Sequence, residues 1–301
     1  MSNMSKKLVL SILAVVLTVV ALGTTTFAWF TLTNVAEVQA FEADVTAGEG
    51  IEISLNGLDW YTTITTELIE EYLFDPASSG YLGANWTFND STTEDGVAFS
   101  NIVGNDARYI EFPLFFRSQD VDTINWTGVE LSTPQTVTFT VDVPSFTYRT
   151  ETYIQGDPAV GEIEGIDVSD AARIAIISNT GTAYTVAYEK AASTANTVLG
   201  GLTDADLTNG GVGTTGSVNY YYLKNDVLPL GAEEVTVLST ITDLGAGQTV
   251  LDLTENAPTA PYLYTGNLTV RVWIEGWDAD TFNSIFGATL STSLEFTGTN
   301  S

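Results

Sequence analysis

The sequence predicts an all-β protein: an antiparallel, jelly-roll-like sandwich with two short helices, preceded by an N-terminal hydrophobic signal or anchor helix. Three observations predict it. Apolar and polar residues alternate at period two through much of the chain behind residue 35, the pattern of strands with one buried face. Turn residues separate the alternating stretches at short intervals. An apolar run near the start directly follows two lysines.

That run comes first in the chain. Lys6 and Lys7 precede Leu8–Leu22, which is interrupted only by Ser11 and Thr18, and Gly23-Thr24-Thr25-Thr26-Phe27-Ala28 follows. A basic flank, an apolar core and a stretch of small residues is the order of an export signal, with cleavage expected after Ala28. The apolar core is short for a full bilayer span, but extended to Phe30 it suffices for an uncleaved anchor. The expected organisation is therefore 1–28 as signal peptide or membrane anchor and 29–301 as an extracellular β-sandwich. The basic flank keeps the N-terminus on the cytoplasmic side.

Behind the leader, Val35–Phe41 alternates as a strand, and Ile51, Ile53 and Leu55 alternate with Glu52 and Ser54 up to the turn Asn56-Gly57. Leu68, Ile69, Tyr72 and Leu73 stand instead at helical spacing opposite Glu67, Glu70 and Glu71, so a short helix is expected within Ile64–Phe74, ending before Pro76. Residues 77–106 read as loop. Further strands are expected at Arg108–Arg117, Thr136–Val143, Ala172–Ile177, Tyr184–Tyr188, Tyr220–Leu223, Val235–Leu238, Val250–Leu253, Leu268–Glu275 and Leu290–Phe296. Gly200–Gly216 reads as a surface loop. Asp278 is placed to cap a second helix, Ala279–Phe286, closed by Gly287.

Composition narrows the chemistry. The 301 residues carry 9 Lys and Arg against 38 Asp and Glu, a net charge of −29, with no His and no Cys. This field repels nucleic acids and anionic lipid headgroups and suits a soluble surface, cations or cationic wall polymers. Lack of Cys removes disulfides and thiolate chemistry; lack of His removes the commonest general base and zinc ligand, and with them any Ser-His-Asp triad. A Ser-Lys dyad would have to use Lys190 or Lys224, neither of which sits in a recognisable motif. A carboxylate pair for glycoside hydrolysis gains no support from acids this abundant. No catalytic residue is assigned, and the chain is read as a non-catalytic protein.

Calcium is the inorganic partner the residues suit best, because hard cations take carboxylate and carbonyl oxygens. The local acidic groups are Asp204 with Asp206, and Glu275, Asp278 and Asp280; none belongs to an EF-hand pattern. Trp60-Tyr61, Trp86, Trp126, Tyr220–Tyr222, Trp273 and Trp277 invite comparison with a carbohydrate platform, although core or interface packing explains most such rings. In the alternation of Leu268–Glu275, Trp273 falls on the opposite face from Val272 and Ile274, exposed or under a loop.

Thr26-Phe27-Ala28-Trp29-Phe30, followed by a polar stretch and then Val45-Thr46-Ala47-Gly48-Glu49-Gly50-Ile51-Glu52-Ile53, resembles the start of the TasA/camelysin group of exported bacterial surface and biofilm-matrix proteins. The resemblance covers roughly residues 6–55. Thr31-Leu32-Thr33-Asn34 departs from the Ser-Asp or Asn-Asp pair usual there. Val270–Asp280 is similar to the close of exported Firmicutes and Mollicutes proteins with Ala-Trp-Phe leaders. The resemblance implies a jelly-roll fibre subunit processed by a signal peptidase, in which the mature N-terminal segment, here 29–46, completes the sheet of the next subunit; read by itself, that segment also fits the first strand of its own sheet. Camelysin's protease activity does not carry over, because no His-Glu-x-x-His site exists here. The expected function is thus a secreted or cell-surface structural protein that forms a homo-oligomer or polymer and binds no nucleic acid. The alternative is a monomeric surface module for cell-wall glycan or calcium.

Overall fold

The computed structural model describes residues 41–83, 86–101, 107–141, 144–148, 151–191, 238–257, 260–276, 278, 281 and 283–300. The leader 1–28, the cleavage point after Ala28, the segment 29–40, the loop Gly200–Gly216, and the strands expected at Tyr220–Leu223 and, up to residue 237, Val235–Leu238 lie outside the described residues.

In chain order the strands are β1 (Phe41–Ala47), β2 (Ile51–Ser54), β3 (Thr63–Ile64), β4 (Asp90–Thr93), β5 (Phe99–Asn101), β6 (Ile110–Ser118), β7 (Thr123–Ser132), β8 (Val137–Thr140), β9 (Ser145–Tyr148), β10 (Glu151–Ile154), β11 (Glu162–Ile166), β12 (Ala172–Ser178), β13 (Thr185–Glu189), β14 (Gln248–Asp252), β15 (Thr254–Glu255), β16 (Tyr264–Glu275) and β17 (Leu290–Thr299). Helix α1 is Thr66–Phe74 and the one-turn α2 is Val168–Ala171; a 3-10 turn occupies Asn283–Gly287. Among the described residues, β14-β7-β17-β1-β3 form a five-stranded sheet. A second, eight-stranded sheet runs β13-β12-β16 and continues beside β16 with β6 and β2 along its length and β4-β5 past the end of β6; β15 adds to β16. Two small ribbons, β9-β10 and β8-β11, stand apart.

The two large sheets pack face to face as a sandwich, and period-two patterning is what allows it. Along β6, Ile110, Phe112, Leu114 and Phe116 all point inward and are fully buried, while Glu111, Pro113, Phe115 and Arg117 point outward. Leu268, Val270, Val272 and Ile274 of β16 join them. From the smaller sheet come Phe41, Ala43 and Val45 of β1, Leu290, Leu294 and Phe296 of β17, and Trp126 of β7. Rings interlock between the layers: Phe116 meets Phe296 edge-on at 5.3 Å, and Phe41 lies 6.5 Å from Phe112. Truncating such a ring to Ala typically costs about 3–5 kcal/mol.

The expected helix within Ile64–Phe74 is α1, which buries Ile69 and Leu73 and stops at Asp75, where Pro76 forbids another helical residue. Several expectations need correction. The sheets are mixed rather than purely antiparallel, since β1 runs parallel to β17 and β4 parallel to β16. The stretch 77–106 holds the β4–β5 hairpin; β4 alternates in burial but is built of Asp, Ser and Thr, so the alternation does not show as apolar and polar residues. Of the strand expected at Thr136–Val143, the described residues show Val137–Thr140, paired among them with β11. Of the second helix expected over Ala279–Phe286, the described residues show the 3-10 turn Asn283–Gly287, and the Asp278 carboxylate pairs with Arg173.

Candidate functional site

The first described strand, β1, carries the end of the segment expected to act as a donor strand. β1 buries Phe41, Ala43, Val45 and Ala47 and exposes Glu42, Asp44 and, between them and Ala47, Thr46. On one side it pairs in parallel with β17 along its full length, from Phe41 opposite Leu290 to Ala47 opposite Phe296. On the other side Val45 and Thr46 pair with Ile64 and Thr63 of β3, and the Ala47 N–H donates to the Thr62 carbonyl at 2.9 Å. Over Phe41–Asp44 no strand pairs with that side among the described residues; there the Thr66 hydroxyl, at the start of α1, donates to the Ala43 carbonyl at 3.1 Å and the Thr66 N–H donates to Asp44 at 2.9 Å. The link to β2 in the other sheet is Gly48-Glu49-Gly50, with Gly50 at φ +84°, a conformation glycine adopts at little cost. Residues 41–46 of the expected donor segment thus lie in the chain's own sheet, near its edge and beside a glycine hinge.

The acidic groups were the metal candidates. Asp204, Asp206 and Asp280 lie outside the described residues. Glu275 and Asp278, both buried, come together around Arg173 of β12. The guanidinium meets Asp278 at 2.6 Å and Glu189 of β13 at 2.6 Å, and also donates to the backbone carbonyls of Asp170 and Ala172. Glu275 accepts from the Trp273 indole at 3.1 Å, and its backbone carbonyl accepts from the Thr281 hydroxyl. Burial works against the Arg173 charge, but the fields of Asp278, Glu189 and Glu275 outweigh it and raise its pKa above the ordinary value. The group reads as an ion-paired lock joining β12, β13 and the end of β16. No cluster of three or more metal-ligating side chains occurs among the described residues. Sequence reasoning placed two of these acids but missed Arg173 and Glu189, which are distant in the chain and meet only through strand pairing.

Lys190, weighed as half of a Ser-Lys dyad, does lie beside a serine: its ammonium donates to Ser169 Oγ at 2.7 Å. Yet it is also paired with Asp170 at 2.8 Å and Asp167 at 3.0 Å. Burial lowers its pKa, and the two aspartates raise it further, so the net shift is upward and the amine stays protonated. A protonated amine cannot accept the serine proton. Ser169 is fully buried and its hydroxyl is committed to Asp167 at 2.6 Å. Asp167 also caps α2 through the Ser169 N–H. Burial raises the Asp167 pKa, but the bonds from Ser169 and Lys190 lower it more. The signs fix a pH window. The lowered Asp167 contributes stability above the usual carboxylate value and loses it as pH falls; the raised Lys190 contributes below the usual lysine value and loses it as pH rises past its own. Lys190→Met should therefore lower the melting temperature at pH 7. Its difference from the parent protein should shrink below roughly pH 4, where carboxylates protonate, as thermal melts across pH 3–8 would show.

The aromatic residues divide. Trp126 and Trp273 are fully buried, and Trp86 packs edge-on against Phe88 at 4.8 Å. Trp273 points outward from β16, as its phase implies, but lies beneath the β4–β5 hairpin against Phe99. Tyr220–Tyr222 and Trp277 lie outside the described residues. Only Trp60-Tyr61 remains at the surface. Trp60 and Tyr262 stack on Arg117 at 4.2 and 3.9 Å, and Arg117 pairs with Glu52 at 2.8 Å.

Among the described residues no helix is long and apolar enough to cross a membrane. No protein-family model matches the chain, and neither a curated protein nor a solved structure matches it.

Proposed function

We propose that the protein is a secreted or cell-surface structural subunit, jelly-roll-like in topology, that self-associates by exchanging its first strand between copies. The observation that carries this reading is the position of β1. It is the first strand among the described residues, and half of its outer side carries no strand among them. Its partner β17 is the last strand, so a vacated β17 edge can accept β1 of another copy in the same register. Exchange keeps every β1–β17 hydrogen bond and every buried side chain; only the hinge conformation and the association entropy change. Gly48 and Gly50 make the hinge change inexpensive.

The charge balance and the leader support export, with a signal peptidase as processing partner before the mature chain leaves the membrane. The protein spanning 29–301, imaged by negative-stain electron microscopy at rising concentration, should form regular oligomers or fibres, and removal of 29–46 should abolish them. Assemblies that persist without 29–46 would refute strand exchange.

A further inference from the structure

Outside the features described above, a cleft lies between α1, the β2–β3 connection and the outer face of the larger sheet. Its volume is about 490 Å³, within the roughly 300–1,000 Å³ usual for small-ligand sites. Its floor is Pro113 and Phe115 on the outer side of β6. One wall carries Tyr61 and Asp59; the other carries Tyr72, Glu71 and Asp75 of α1 and its C-cap.

Three features of this cleft bear on what it can hold. The rings of Tyr61, Tyr72 and Phe115 line it on three sides, and Tyr61 is exposed at 37%. Its ionic residues are all carboxylates, with no Lys or Arg in the lining. Asp59 and Asp75 each use one oxygen locally, toward the Asn56 amide and the Ala77 N–H, while Glu71 has no hydrogen-bond or ion-pair partner among the described residues. Finally, the Ser78 hydroxyl lines the cleft, is buried and makes no hydrogen bond. A buried hydroxyl without a protein partner is uncommon and is commonly satisfied by ordered water.

The backbone holds this geometry firmly. A Cβ at Gly80 would run into the Glu111 carbonyl and the Tyr72 ring, so the chain after α1 lies tight against β6. Gly57, at φ +71°, rests on the Phe115 ring. The Tyr72 hydroxyl is fixed by Ser79 at 2.7 Å.

We infer that this cleft binds a short oligosaccharide that carries no anionic group, either neutral or with free amino groups. Sugar rings present apolar C–H faces that stack on Tyr and Phe rings, and their hydroxyls donate to carboxylates. Three carboxylates without a counter-cation repel phosphate, sulfate and carboxylate ligands and favour hydroxyl or ammonium donors. No residue of β1 lines the cleft, although α1, one of its walls, is bonded to β1 through Thr66.

Calorimetric titration of the protein spanning 29–301 tests it, with β-1,4-linked tetramers of N-acetylglucosamine, glucosamine and glucose as probes, a sulfated tetrasaccharide as counter-probe and a proline-rich peptide as the competing ligand class. Saturable binding of at least one of the three unsulfated tetramers is expected, with none of the sulfated one. Tyr61→Ala should weaken it by at least tenfold and Glu71→Gln by severalfold. Both residues are at the surface, so unchanged thermal melts will show that the fold is intact. Failure of all three sugars to bind, binding unchanged in both variants, preference for the sulfated probe, or binding of the peptide in their place would each overturn the inference.

Discussion

Val45→Asp should prevent β1 from docking, in its own sheet or in a partner's. Val45 is fully buried, pairs with Leu294 of β17 on one side and Ile64 of β3 on the other, and has no cation near it in the core. A carboxylate forced into that place is left charged without a partner or must take up a proton, and either costs at least about 3 kcal/mol. The effect on the strand can be separated from general unfolding. A protein beginning at Gly48 should bind a synthetic peptide of residues 30–47 as its missing strand, and the same peptide carrying Val45→Asp should bind more than about a hundredfold more weakly. The Asp44→Asn peptide should bind about as well as the parent, because Asp44 points to solvent and retains an acceptor for the Thr66 N–H. Equal binding of the Val45→Asp peptide would mean that the inward face of β1 does not hold the strand.

Arg173→Met should be the most destabilising single change outside the hydrophobic core. One guanidinium, itself buried, faces Asp278, Glu189 and Glu275, so its removal leaves buried acids without their countercharge; losing one partner of such a group typically costs about 3–5 kcal/mol. That is a large share of the roughly 5–15 kcal/mol by which domains are stable. Adding Asp278→Asn to Arg173→Met should recover part of the loss, since it removes one of the stranded charges. Denaturant unfolding of the parent, the single and the double variant measures both effects. A single variant within 1 kcal/mol of the parent would show that the acids find other compensation.

How far the sequence revealed this arrangement depended on the periodicity of each segment. β6, β16 and β17 have one face in the core and the other turned outward, so their alternation is plain in the residues. Strand β7 escaped notice because Thr123 and Ile124 are both buried and the register shifts near Gly128, whose carbonyl accepts from the Trp126 indole; a bulge of this kind breaks period two. Ala172–Ile176 of β12 are buried on both faces, the outer one in part by the β4–β5 hairpin, so that strand shows as an apolar run rather than an alternation. The parallel pairing of the first and last strands leaves no local signal at all, being a property of topology. The same holds for the sites. Glu275 and Asp278 were visible as neighbours, but Arg173 reaches them only because β12 and β16 pair with Arg173 opposite Trp273. Tyr61 was visible as part of an aromatic pair, whereas the cleft it borders needs α1 and β6, which stand apart in the chain.

The most direct test of strand exchange uses the absence of cysteine, which makes every introduced thiol unique. Ala43 of β1 and Thr292 of β17 are register partners and both point into the core. One preparation carries Ala43→Cys, another Thr292→Cys, and the two are mixed, allowed to assemble and oxidised. Strand exchange predicts a disulfide joining one chain of each kind, its yield rising with concentration as the assemblies grow. A chain carrying both substitutions closes the bond within itself when dilute and shows that the geometry permits it. If that doubly substituted chain closes fully while the mixture yields no mixed disulfide at any concentration, β1 stays in its own sheet and the proposed mode of self-association is wrong.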